Sequence, residues 1–182
     1  MKKQILLSLT ALFTIACSTQ ETDEAAEDID ISTEVQPSES IATVTPQPTF
    51  AEIAAKNAQE GENFLKEIEA KAGVKKTESG LCYEVIKPGK GKKPGMQGQV
   101  QVHYHGTHID GRVFDSSVER GEPITFNLGQ VIIGWQEGLQ LMPEGSTYKL
   151  YIPSKLAYGE GGTGSIGPNE VLIFEVELLG IR

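Results

Sequence analysis

The sequence predicts one α+β domain, built of several antiparallel strands and one short helix and entered through an amphipathic helix. Three observations predict it. Beyond Gly73 the apolar residues recur mostly with period two, the pattern of half-buried strands. Between those strands only Gly134 to Leu141 reads as a helix, with Trp135 and Leu139 on one face. Upstream, Phe50, Ile53, Ala54, Asn57, Gly61, Phe64, Leu65 and Ile68 fall at three- and four-residue steps and make a largely apolar stripe. Roughly 110 residues of strand and helix are an ordinary size for one α+β domain, and no internal repeat is present.

The first element addresses the chain rather than folding it. Lys2 and Lys3 form a basic start, and Ile5 to Ala16 is an apolar run interrupted only by hydroxyls. A membrane-spanning helix needs about 20 apolar residues, so this run is too short to span. It has the length of a signal-peptide core, and residues 1–16 are read as a signal peptide. Thr14-Ile15-Ala16-Cys17 resembles a bacterial lipobox, in which the Cys is lipidated and becomes the mature N-terminus, although Thr14 stands where Leu is usual. The alternative is ordinary soluble secretory cleavage. The same resemblance implies, from Ser18 rather than Asp after the Cys, the outer membrane over the inner one. The expected location is therefore the bacterial cell envelope, lipid-anchored at Cys17. With Cys17 acylated, Cys82 is the only thiol left and no intramolecular disulfide can form.

Residues 17–49 are the second element. From Ser18 to Thr49 the chain carries eight acidic side chains and no basic one. Such a segment buries too little apolar surface to offset the entropy of ordering and is expected to be a disordered linker. Much of the net charge of −9 lies there, which argues against nucleic acid as partner. Residues 50–73 follow as the amphipathic helix. Gly61 should weaken it by about 1 kcal/mol relative to Ala, and Gly73 is a natural stop.

Residues 74–182 make the folded domain. Gly80 to Ile86 reads as a strand in which Cys82 is a small, half-buried core residue. Val100, Val102 and Tyr104 point one way, while Gln99, Gln101, His103 and His105 point the other. Tyr148, Leu150 and Ile152 alternate with Thr147, Lys149 and Tyr151. Leu172, Phe174, Val176 and Leu178 share a parity opposite to Glu175 and Glu177. His103, His105 and His108 carry a His-x-His spacing that invites zinc. That face is the polar one and no fourth ligand is evident, so a solvated face is expected and no metal or other cofactor is assigned.

Five pieces carry a family resemblance. They are Val102-His103-Tyr104-His105-Gly106, Gly111-Arg112-Val113-Phe114-Asp115-Ser116-Ser117, Val131-Ile132-Ile133-Gly134-Trp135, Leu156-Ala157-Tyr158-Gly159 and Leu172-Ile173-Phe174-Glu175-Val176. Together they supply aromatic rings with one acid and two phenols, and no evident nucleophile. The order and spacing resemble the FKBP family of peptidyl-prolyl cis-trans isomerases, the immunophilins that bind rapamycin, from about Ser79 to Arg182. Glu60-Gly61-Glu62-Asn63-Phe64-Leu65, running on to Gly73-Val74 and Ser79-Gly80-Leu81, is similar to the connection in Mip-like bacterial members. The resemblance implies an antiparallel sheet curled around the short helix, preceded by the amphipathic helix and the acidic linker.

It also implies a site. Tyr104, Phe114, Trp135 and Phe174 would line the pocket, with Trp135 as floor. Asp115 would be the pocket acid and Tyr158 a phenol that hydrogen-bonds the ligand. Val131 and Ile132 would form the rim, the Ile132 N–H serving as a backbone donor. Arg120 matches a basic residue near Asp115, and Ile166 an apolar contact from the glycine-rich loop. Ile124 stands where the family often has an aromatic, and the loop from Gly159 to Gly167, with five glycines, has no match to the family's loop His. Each residue also has a plainer reading: inward aromatics are default core material, Asp115 could cap a turn, and Tyr158 could pack beside a loop. The implied partners are polypeptides containing Xaa-Pro bonds, a rapamycin-like macrolide and, through the anchor, a membrane. The upstream helices of Mip-like members have no counterpart, so a monomer is expected. Two functions remain: an isomerase for exported proteins, or a binding module that uses the same groove with little turnover.

Overall fold

In the computed structural model, which describes residues 47–182, the first regular element begins at a reciprocal cap. The Thr49 hydroxyl accepts the Glu52 N–H at 3.3 Å, and the Glu52 carboxylate accepts the Thr49 N–H at 2.7 Å. This capping box satisfies two of the backbone donors that a helix start leaves free. Helix α1 then runs Phe50–Glu69, and Gly73 turns the chain at φ 91°. The expected signal peptide at residues 1–16, Cys17 and residues 18–46 of the acidic segment lie outside the described residues.

Seven strands follow: β1 Val74–Lys76, β2 Cys82–Lys87, β3 Gln99–Thr107, β4 Val113–Ser116, β5 Ile124–Asn127, β6 Thr147–Ile152 and β7 Leu172–Ile181. They form one antiparallel sheet in the order β1-β2-β6-β7-β3-β4, with β5 also paired to β3. Helix α2 is a single turn, Ser117–Arg120, and α3 spans Ile133–Leu141. The residues described lie in one compact unit, Thr45–Arg182. Among them no helix is long and apolar enough to cross a membrane.

Period two in the sequence becomes two faces of the sheet. On the inner face Val100, Val102 and Tyr104 of β3, Leu150 and Ile152 of β6, and Leu172, Phe174, Val176 and Leu178 of β7 are buried. The register places Tyr104 opposite Val176, Gly106 opposite Phe174 and Leu150 opposite Phe174. Trp135 and Leu139 of α3 fill the space over them, so the sheet and this helix share one core.

Two residues expected on solvated faces are buried instead. Tyr151, on the polar parity of β6, is only 5% exposed because α1 covers that part of the outer face. Its ring meets Phe64 at 6.1 Å between centroids, and Ile68 and Cys82 complete this second small core. Cys82 is therefore fully rather than half buried, and burial pushes its thiol pKa up. His108 is 5% exposed and is turned away from the face shared by His103 and His105. The parity of β3 explains it: His108 continues the inward series of Val102, Tyr104 and Gly106.

Candidate functional site

Four rings meet where the inner faces of β3, β4 and β7 approach the start of α3. Trp135 packs edge to face on Tyr104 at 5.3 Å and on Phe174 at 5.1 Å between centroids. Phe114 meets Phe174 edge-on at 5.3 Å. These are favoured geometries for aromatic quadrupoles, so the cluster is a rigid wall rather than a loose set of side chains. Gly106 makes the approach feasible. A Cβ there would lie 2.8 Å from the Phe114 ring and 2.9 Å from that of Phe174, closer than real Cβ contacts.

The rings bound a cavity of about 600 Å³. Of the residues singled out by the sequence, Tyr104, Phe114, Asp115, Ile124, Val131, Ile132, Trp135, Tyr158, Ile166 and Phe174 all line it. Arg120 does not, but it is bound to two residues that do. The lining also includes Phe126, Gln130, Thr163, Gly164 and Ser165, which sequence reasoning missed. Phe126 touches Trp135 at 5.4 Å and shares the parity of Ile124 on β5, so the period-two rule could have found it. No such signal marks the glycine-rich loop residues.

The polar side of the cavity is a closed triangle. The Tyr104 hydroxyl donates to the Asp115 carboxylate, Arg120 Nη1 donates to the other Asp115 oxygen, and Arg120 Nη2 donates to the Tyr104 hydroxyl at 2.9 Å. Helix α2 sets this up. Ser116 Oγ accepts the Glu119 N–H at 3.2 Å, and Ser117 Oγ accepts the Tyr104 N–H at 2.8 Å, tying the turn to β3. Arg120 at the end of that turn then reaches back over Asp115 and lies 5.7 Å from the Tyr104 ring centroid. Burial pushes the Asp115 pKa up, but the hydrogen bonds from Tyr104 and Arg120 and the charge of Arg120 outweigh it and hold the carboxyl below its usual range. Burial first, and then the Asp115 carboxylate, raise the Tyr104 phenol above its usual value.

Three donors around the cavity remain without a protein partner among the described residues. The Ile132 N–H sits just before α3, where the Ile132 carbonyl already accepts Trp135 N–H at 2.9 Å. The Tyr158 hydroxyl is on a half-exposed ring, and Trp135 Nε1 is buried. Among the described residues no His, Lys or Cys lines the cavity, and its one ionised lining group, the Asp115 carboxylate, is already engaged by Tyr104 and Arg120. The arrangement suits the desolvation of an apolar ring and the capture of a carbonyl. It does not suit nucleophilic attack.

Known proteins share the sequence pattern and the fold. The family model described as FKBP-type peptidyl-prolyl cis-trans isomerase matches residues 90–179, and the one described as the domain amino terminal to it matches residues 13–85. The FKBP-type peptidyl-prolyl cis-trans isomerase FkpA of Aeromonas hydrophila is 59% identical over 129 residues, 71% of this chain and 48% of that one. The outer membrane protein MIP of Legionella longbeachae is 47% identical over 134 residues, 73% of this chain and 58% of that one. The chain thus spans about half the length of these curated relatives. Among solved structures, a peptidyl-prolyl cis-trans isomerase from Pseudomonas syringae superposes with a TM-score of 0.67 at 37% identity, covering 76% of this chain and 98% of that one. The crystal structure of FkpA from Escherichia coli gives a TM-score of 0.72 at 44% identity, covering 73% of this chain and 62% of that one.

Proposed function

The chain belongs to the family of FKBP-type peptidyl-prolyl cis-trans isomerases, and we propose that it accelerates isomerisation of Xaa-Pro bonds in exported proteins. Rotation about a peptide bond faces a barrier of about 18–20 kcal/mol because resonance is lost on the way. At Xaa-Pro both isomers are populated and exchange takes tens to hundreds of seconds. No bond breaks, so the reaction needs neither a nucleophile nor a proton transfer. The twisted transition state has lost amide resonance and is less well solvated at oxygen. A dry aromatic site therefore favours it over the planar ground state.

In this reading Trp135 is the floor under the proline ring, and Tyr104, Phe114 and Phe174 are its walls. The Ile132 N–H and the Tyr158 hydroxyl, which lack partners among the described residues, hydrogen-bond substrate carbonyls. Asp115 is kept ionised by Tyr104 and Arg120 and presents a fixed negative charge near the twisting amide. Val131, Ile132, Ile124 and Ile166 contact the residues flanking proline. The observation that carries the proposal is an aromatic cavity of about 600 Å³ whose one charged lining residue, Asp115, is already engaged by Tyr104 and Arg120. Its volume and apolar walls also suit a rapamycin-like macrolide.

The rest of the proposal rests on the sequence. Cys17 carries the lipid anchor, the acidic segment tethers a monomeric domain to the membrane, and the outer membrane is its site. An isomerisation assay on a Xaa-Pro peptide tests the activity. A rate equal to the uncatalysed one would instead indicate a binding module.

A further inference from the structure

Thr163, Gly164, Ser165 and Ile166 line the cavity from a segment with little regular structure of its own. Its inner turn is closed by two hydrogen bonds, Thr163 N–H to Ile166 O and Ile166 N–H to Thr163 O, both 2.8 Å. Its base is closed by Asn169 N–H to Gly159 O at 2.9 Å. Five glycines between Gly159 and Gly167 make this wall costly to order.

The base of the wall is held from two directions by residues outside the cavity. Asn57, on α1, donates from Nδ2 to the Pro168 carbonyl at 2.8 Å, and Asn169 returns its own Nδ2 to the Ala54 carbonyl at 3.4 Å. From the other side His108 Nδ1 donates to the Glu170 carboxylate at 2.6 Å, with the two side chains 7% and 21% exposed. Gly167 lets both contacts close on the same spot. A Cβ there would lie 2.8 Å from Glu170 Oε1 and 3.2 Å from Asn57 Nδ2. The His108 ring also meets Phe114 edge-on at 5.2 Å, so the same side chain braces a ring of the cavity. Nδ1 carries hydrogen in the cation and in one neutral tautomer, so this contact does not require the imidazole to be charged.

We propose that Asn57 and His108 are positioning residues for the substrate pocket: they clamp Pro168–Glu170 and so pre-order the Thr163–Ile166 wall. Helix α1, which precedes the catalytic module, is thereby a working part of the site. This inference rests on the isomerase reading for its effect on substrate, but not for its effect on the loop. A wall left to wander must be ordered by the substrate itself, which weakens binding while the twisted amide still meets the same rings.

The test uses the full chain with Asn57→Ala, His108→Leu and His108→Asn, the last returning a side-chain N–H near the position of Nδ1. Amide hydrogen exchange is measured without peptide, and kcat and KM on a Xaa-Pro peptide. For Asn57→Ala and His108→Leu, exchange at Thr163, Ile166 and Asn169 should rise about tenfold while β6 and β7 are unchanged. KM should rise about two- to tenfold, the span of one net hydrogen bond, with kcat held within about twofold. His108→Asn should recover most of both. The proposal is overturned by unchanged exchange at those three amides. It is equally overturned by exchange rising throughout the domain, or by kcat falling at constant KM. An unmodified chain without isomerase activity would sink the isomerase reading alone, since the exchange at the three amides still decides the clamp.

Discussion

Replacing Trp135 by Ala removes the floor of the cavity, and its consequence follows from the packing. Trp135 is 6% exposed and touches Tyr104, Phe126 and Phe174 at 5.1–5.4 Å between centroids. Truncating a buried Trp to Ala costs about 3–5 kcal/mol of stability. The catalytic loss is a separate matter. A proline ring carries three methylenes, each contributing about 0.8 kcal/mol when buried, or roughly 2.4 kcal/mol together. Forfeiting half to all of that lowers kcat/KM by roughly seven- to fiftyfold. Tyr158→Phe removes one hydrogen bond to the ligand, about 0.5–1.5 kcal/mol, hence about two- to twelvefold. Since the Tyr158 hydroxyl has no protein partner among the described residues, that variant should keep its Tm. The assay is kcat/KM on a model Xaa-Pro peptide for both variants, with circular dichroism to show each is folded. Trp135→Leu, which keeps an apolar side chain but removes the aromatic contact and leaves part of the floor open, serves as the milder variant should Ala unfold the domain. A folded Trp135→Ala or Trp135→Leu protein with undiminished kcat/KM would refute the desolvating floor.

Gly106→Ala drives a methyl into the rings of Phe114 and Phe174, so overpacking should cost about 1–3 kcal/mol and reduce kcat/KM, whereas Gly95→Ala, with open space around it, should change neither; thermal denaturation and the peptide assay measure both. Asp115→Asn should be intermediate between Tyr158→Phe and Trp135→Ala in activity, because it keeps shape and some hydrogen bonding but removes the charge. The depressed Asp115 pKa contributes stability above its unfolded value that is lost as pH falls through the folded one, so the Tm gap between wild type and Asp115→Asn should narrow below about pH 4. Cys17→Ser should release the full chain from the membrane fraction, since lipid anchoring supplies about 0.8 kcal/mol per buried CH₂; retention in that fraction would contradict the lipobox.

Much of the fold was legible because the chain alternates cleanly. The inward parity of β3, β6 and β7 could be read directly, and so could the short helix bearing Trp135. What was not legible depended on partners distant in sequence. Tyr151 and Cys82 read as half-solvated in the sequence, because α1, which covers that face, is distant from both in the chain. Gly61 looked like a weakness in α1, yet it is buried, and a Cβ there would lie 2.7 Å from Val171 Cγ2, so its small size is what lets the helix approach. His108 was grouped with His103 and His105 by residue type, when parity already placed it with Tyr104 and Gly106. For the site, the aromatic and charged residues stood out by order and spacing. Thr163, Gly164 and Ser165 did not, because a glycine-rich loop has no periodicity from which an inward side can be inferred.

The central claim is that Xaa-Pro rotation is accelerated by desolvation and shape, without proton transfer. Of the groups that line the cavity, Asp115 titrates below its usual acidic range and Tyr104 above its usual alkaline one. Neither changes charge between about pH 6 and 8. The most direct measurement is kcat/KM for a model Xaa-Pro peptide across that interval, against the uncatalysed rate at each pH. A large acceleration and a nearly flat profile are expected. No acceleration, or a bell-shaped profile inside the interval, would contradict the claim.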